Sequence, residues 1–194
     1  MKLSTRDEPV RGSGYSNRPL AWKVVEKEKP KITIAFRPLV LDDLEMTRKI
    51  YNYAVTSTLA TLDLEPRTVG QQERWINEHQ GIYTAIAALA DGAFAGFASI
   101  SPYRPRPGYS STVEDSIYLD HHYWGMGIGK ALLAELLAIA KDLGFHSCIA
   151  NIVADHHASI ALHQRLGFRL VGIQEEIGRK FGRWVDLAIL QKML

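Results

Sequence analysis

The 194 residues, 46% of them apolar, suffice for one domain with a sizeable core and exclude the low hydropathy of a disordered chain. Twenty-three basic against twenty-one acidic residues leave a formal charge of +2, too weak a field to expect nucleic acid as a partner. No apolar run is long enough to span a bilayer, so no membrane partner is expected, and the first thirty residues lack the continuous apolar core of a secretory signal.

Residues 1–31 crowd charges between Lys23 and Lys31 and break periodicity with glycine and proline; they read as a flexible extension, with 32–194 as the folded domain. Ile32 to Arg37 reads as a strand. Asp42-Asp43-Leu44-Glu45 then offers capping carboxylates to a helix running toward Ala54. A second helix is expected after Thr68, with Trp75 and Ile76 facing inward and Gly81 ending it. Thr84 to Ala90 and Phe94 to Ile100 flank Asp91-Gly92, a strong hairpin signal.

Thr112 to Leu119 is the next strand, followed by Trp124-Gly125-Met126-Gly127-Ile128-Gly129-Lys130 and an amphipathic helix that Gly144 stops. A strand over Phe145 to Val153, a helix over about Ala158 to Leu166 and two closing strands, near Val171 and from Val185 to Gln191, complete an α/β pattern with a mixed central sheet. The lone Cys148, within that apolar strand, can form no internal disulfide and reads as a buried thiol of a reducing, cytoplasmic compartment.

The alternating glycines carry the chemistry. Without Cβ atoms, amides at a helix start can approach an anion closely, and the helix dipole favours a phosphate or pyrophosphate there. Two better-known phosphate loops fail. Trp124 and Ala131 occupy the places where a Walker A loop needs Gly and Ser or Thr, and Lys130 stands where a dinucleotide fingerprint needs a third small residue. The adjacent pairs His121-His122 and His156-His157 are expected to splay their rings apart, so no metal site is expected.

The strand, glycine loop and helix, followed by a strand and by Leu162-His163-Gln164-Arg165-Leu166-Gly167-Phe168, resemble the GNAT superfamily of acyl-CoA-dependent N-acetyltransferases. Ile50-Tyr51-Asn52, Pro102 to Arg106, Tyr109, Thr112 to Ser116 and Lys180 to Asp186 are similar to its phosphinothricin acetyltransferase branch, from about Phe36 to the C-terminus.

The resemblance implies the GNAT fold and acetyl-CoA as co-substrate. Its pyrophosphate would lie against the loop Gly125, Met126, Gly127, Ile128, Gly129 and Lys130, and its pantetheine arm alongside Ile117, Tyr118 and Leu119 near His156. His156 and Trp124 both depart from the family pattern, the former replacing an Asn and the latter an Arg or Gln. Ser111 replaces a bulky aromatic, which implies a wider acceptor pocket. Arg104, Arg106, Tyr109, Lys180 and Trp184 match acceptor-site positions, and a homodimer is implied by the family alone.

Transfer to an amine requires a neutral nucleophile, and most free amines are protonated at neutral pH. Glu114, on the strand just before the cofactor segment, is the candidate base. Its neighbour Asp115 points to the opposite face of the strand, so the two carboxylates are not expected to pair. His163 is the second catalytic candidate, as base toward the amine or acid toward the departing thiolate. The expected activity is direct acetylation of the α-amino group of a small acceptor such as phosphinothricin, methionine sulfoximine or methionine sulfone. The alternatives are a protein N-terminus or antibiotic amine as acceptor, or a catalytically silent acyl-CoA-binding module.

Overall fold

A computed structural model describes residues 32–194; the extension expected over 1–31 lies outside the described residues. In chain order the elements are β1 (Ile34–Pro38), α1 (Leu44–Ser57), α2 (Val69–Glu78), β2 (Ala85–Ala90), β3 (Ala93–Pro102), β4 (Thr112–Leu119), α3 (Ile128–Asp142), β5 (Ser147–Val153), α4 (His157–Arg165), β6 (Arg169–Lys180) and β7 (Arg183–Met193). The seven strands form one sheet in the order β1-β2-β3-β4-β5-β7-β6. Only the β4–β5 pair is parallel, so the sheet is mixed as expected.

Alternation along the strands divides the core between the two faces of the sheet. Ala88, Ala98 and Val113 pack with Leu132, Leu133 and Leu136 of α3, whereas Ala87 and Phe97 pack with Ile50, Tyr51 and Val55 of α1 and Ile76 of α2. Each fully buried leucine of α3 contributes about 1.5–3 kcal/mol relative to exposure.

Local chemistry sets the ends of the elements. Thr68 Oγ1 accepts the Gln71 amide and Gln71 Oε1 accepts the Thr68 amide, a reciprocal box that starts α2. Helices α3 and α4 end alike. Gly144 and Gly167 are left-handed, Phe145 N–H donates to the Ala140 carbonyl and Phe168 N–H to that of His163. Asp91 and Gly92 both have positive φ, the two-residue turn expected between β2 and β3.

Two end signals act differently from expectation. Asp43 does not cap α1. Its carboxylate is held by both terminal nitrogens of Arg37 at 2.6 and 2.7 Å and accepts the Val40 amide, closing the short 3-10 turn Leu41–Asp43 instead. Helix α2 stops at Glu78, before Gly81, where the His79 ring donates from Nδ1 to the Trp75 carbonyl at 2.7 Å and so satisfies a carbonyl of the last turn.

Candidate active site

Strands β4 and β5 pair only over Thr112–Glu114 against Ser147–Ile149, although β5 runs on beside β7 to Val153. Beyond Glu114 the sheet therefore opens, and the β5-facing backbone groups of β4 have no strand partner. A cleft of about 440 Å³ occupies this opening, with Tyr51, Arg67, Glu114, Asn151, His156 and His163 among its lining residues.

The glycine loop lies at the end of β4. Gly125 and Gly127 are left-handed, with φ of +76° and +82°, and the space where a Cβ would stand is empty within 4 Å at both. Gly127 is the N-cap of α3, and Ala131 N–H to Gly127 O, at 3.2 Å, is the first bond of that helix. The amides of Ile128, Gly129 and Lys130 therefore have no preceding helical carbonyl to donate to. An open, amide-lined cradle at the N-terminus of a fifteen-residue helix fits a pyrophosphate. A Cβ on Gly129 would stand 3.1 Å from Leu119 Cδ1, so glycine there lets the helix start approach β4.

Of the expected pantetheine contacts, Ile117, Tyr118 and His156 line the cleft. The side chains of Ile117 and Leu119 pack toward α3, whereas the Tyr118 ring turns toward Tyr51 and Phe97 on the other face. The three share only the open backbone edge. Trp124 ties the loop to that edge, its indole N–H donating to the Leu119 carbonyl at 3.2 Å.

Glu114 faces the cleft. Burial raises its carboxyl above the ordinary range, the neighbouring Asn151 amide pulls it down, and the charge of Asp115 pushes it up again. Asp115 turns toward α4, as strand alternation requires, and there meets His163. Nε2 of that ring lies 3.0 Å from Asp115 Oδ2, and Nδ1 lies 2.7 Å from the Ser159 carbonyl. Burial alone would lower the His163 pKa, but the hydrogen bond and charge of Asp115 and the bond to Ser159 outweigh it and hold it raised. His163 thus lines the cleft with both ring nitrogens facing protein oxygens, those of Asp115 and Ser159.

Cys148 adds its Sγ 3.5 Å from Asp115 Oδ1, and burial, followed by the Asp115 charge, drives its pKa far up. It is a thiol, not a thiolate, and no nucleophile.

The expected acceptor residues are not brought to this cleft within the described chain. Arg104 and Arg106 are exposed; the Arg104 guanidinium lies 4.9 Å from the Tyr103 ring and 5.7 Å from that of Tyr109. Trp184 is exposed and borders a separate small depression with Asp155 and Arg183. Lys180 is buried and donates from Nζ to the Thr61 carbonyl at 2.7 Å, and burial lowers its pKa. It straps down residues 58–68, the segment between α1 and α2 that contributes Ala60, Thr61 and Leu62 to the cleft wall.

The expectation that adjacent histidines splay apart fails at His121-His122. On the 3-10 turn His121–Tyr123 the rings close to 4.0 Å between centroids, and both Nδ1 atoms approach Asp120 Oδ1, at 3.4 and 2.7 Å. These three side chains could hold a metal ion, and both histidines are exposed.

An opened parallel pair, an amide cradle at the following helix and a cleft carboxylate define an acyl-transfer fold of one family. The profile of the acetyltransferase (GNAT) family matches residues 47–168, and the chain belongs to that family. It is 36% identical over 162 residues to an L-methionine sulfoximine/L-methionine sulfone acetyltransferase of Pseudomonas paraeruginosa, covering 82% of this chain and 94% of that one. It is 37% identical over 165 residues to a phosphinothricin N-acetyltransferase of Streptomyces coelicolor, covering 83% and 96%. The crystal structure of a GNAT superfamily phosphinothricin acetyltransferase from Sinorhizobium meliloti in complex with AcCoA superposes with a TM-score of 0.81 at 40% identity, covering 84% of this chain and 89% of that one.

Proposed function

We propose that this acetyltransferase acetylates the α-amino group of a small amino-acid-like acceptor, of the phosphinothricin, methionine sulfoximine or methionine sulfone kind, by direct transfer. The observation that carries the reading is Glu114, a carboxylate with a raised pKa at the point where β4 and β5 part. The acceptor class is the one named for the Pseudomonas and Streptomyces relatives.

The amides of Ile128, Gly129 and Lys130 and the open edge of β4 would hold acetyl-CoA, which supplies the activated acetyl thioester. Glu114 takes the proton of the acceptor's ammonium, directly or through a water, and leaves the amine a nucleophile. His163 is a positioning residue, locking α4 to β4 on either side of the cleft through Asp115. The buried, protonated Cys148 offers no acetyl carrier, which supports direct transfer.

We further infer a homodimer and a cytoplasmic address. The edge strand β6 exposes Leu170, Val171, Ile173 and Ile177 in a row that a second copy would cover. The single Cys148, buried and without a disulfide partner, suits a reducing compartment, and among the described residues no helix is long and apolar enough to cross a membrane.

The test is CoA release, followed with a thiol-reactive dye, from acetyl-CoA with phosphinothricin, methionine sulfone, ordinary amino acids or a short peptide. Rapid release with the sulfone or phosphinothricin, lost in Glu114→Gln, supports the reading. Tight acetyl-CoA binding without release for any acceptor would point to a silent acyl-CoA-binding module.

A further inference from the structure

Ile50-Tyr51-Asn52 marks the chain's resemblance to its family, and the structure gives its last two residues a shared task at Arg67. Asn52 Nδ2 donates to the Arg67 carbonyl at 3.0 Å, and Asn52 Oδ1 accepts the Arg67 amide at 2.7 Å. One α1 side chain thus grips both backbone groups of a residue fifteen positions away. The guanidinium carbon then lies 3.6 Å from the centre of the Tyr51 ring and 5.4 Å from that of Trp75. Both rings line the cleft, as does Arg67 itself.

Such fixing is more than packing requires. Arginine has five N–H donors in a planar fork suited to a carboxylate. Nη1 reaches Gln72 Oε1 at 3.3 Å, and no carboxylate lies within ion-pair distance of Arg67 among the described residues. The rest of the fork has no protein acceptor among them. Of the described side chains lining the cleft, Arg67 is the one permanent cation, and Glu114 lines the same cleft. The other basic candidates are engaged or elsewhere: Lys180 serves the Thr61 carbonyl, and Arg104 and Arg106 lie outside.

We propose that Arg67 binds the α-carboxylate of the acceptor, while Glu114 addresses its ammonium. The inference rests on the acceptor class proposed above and adds the residue that selects for it. A fixed cation and a carboxylate facing one cleft complement an amino-acid zwitterion, and aromatic rings beneath the guanidinium hold its plane without consuming donors. Acceptors lacking the carboxylate leave that fork without its partner, and this sets the preference.

The experiment crosses enzyme variants with acceptors. Wild type, Arg67→Ala, Arg67→Gln and Arg67→Lys are assayed with methionine sulfone, its methyl ester and 3-(methylsulfonyl)propylamine, which lacks the carboxylate. Comparing each variant with wild type on the same acceptor cancels differences in amine basicity. In Arg67→Ala, kcat/KM for the free acid falls between about 10-fold and 100-fold further than for the ester or the amine, chiefly through KM, and Arg67→Lys recovers part of it.

Equal losses on all three acceptors, in Ala and in Gln, would overturn the carboxylate role and leave Arg67 a structural residue. A selective loss for the acid in Arg104→Ala or Arg106→Ala but not in Arg67→Ala would overturn it in favour of the exposed loop. Wild type inactive toward every amino-acid acceptor overturns the proposed function itself, an outcome distinguishable because it appears before any variant is made.

Discussion

Asp115 and His163 stand 48 residues apart in sequence, yet Oδ2 of one lies 3.0 Å from Nε2 of the other, both nearly sealed from water. Nδ1 of the same ring lies 2.7 Å from the Ser159 carbonyl, so both nitrogens face oxygens that can accept a hydrogen. Both contacts favour the protonated ring, and they hold the His163 pKa above its ordinary value. Removing one partner from a buried charge pair leaves the other uncompensated, and Asp115→Ala is expected to lose about 3–5 kcal/mol.

That loss is pH-dependent with a definite sign. A His163 pKa raised by folding stabilises fully below the unfolded value of about 6.5 and ceases to do so as pH climbs through the folded value. The gap in urea midpoint between wild type and Asp115→Asn is therefore widest below the unfolded value of about 6.5 and narrows as pH rises through the folded value. A gap that widens with pH would contradict a raised His163 pKa.

Glu114→Gln is expected to lower kcat by about 10²- to 10⁴-fold, the usual worth of a positioned base, with little change in KM for acetyl-CoA. In wild type the acidic limb of the rate profile lies above the ordinary glutamate range, because burial favours the protonated form and only the carboxylate accepts a proton. Asn151→Ala removes the group that pulls the Glu114 pKa down, so its acidic limb moves to higher pH. A limb that moves lower would show that Asn151 does not act on Glu114.

Gly127→Ala tests the cradle. No atom crowds the new methyl group, so the penalty is the left-handed backbone, about 1–2 kcal/mol. Thermal unfolding reports that penalty, while a rise in the KM for acetyl-CoA without one for the acceptor reports the cradle's role.

Asn52→Ala removes the two bonds that fix the Arg67 backbone but leaves its charge. The expected result is a several-fold rise in acceptor KM with acetyl-CoA KM unmoved, measured in the CoA-release assay.

The fold was largely legible because its signals are local. The Asp91-Gly92 turn and the stops at Gly144 and Gly167 depend on a few adjacent residues, and each appears where periodicity places it. The places of Glu114 on β4 and of the glycine loop at the start of α3 were also legible, since a strand leading into a glycine-rich helix start defines its own geometry. Asp115 was seen to turn away from Glu114, but its partner lay on another helix. Its signal was available: an acidic residue on the same strand face as Val113 and Ile117 points inward and needs a counter-charge.

Arg67 carried no local signal, because its pocket is assembled by Asn52, Tyr51 and Trp75 from two helices. Asp43 was misread for a related reason. A carboxylate beside a helix start resembles a cap, whereas the Arg37 fork on β1 competes for it and wins.

Trp75 belongs to the cleft wall beside Arg67, whereas Trp124 stands on the glycine loop with more than half its surface exposed and its indole N–H on Leu119. The proposed reaction path thus has an intrinsic fluorophore at each end. With Trp22 and Trp184 replaced by phenylalanine, emission from the remaining two would separate occupancy of the nucleotide end from occupancy of the acceptor end, so the order of substrate arrival could be followed optically without a label.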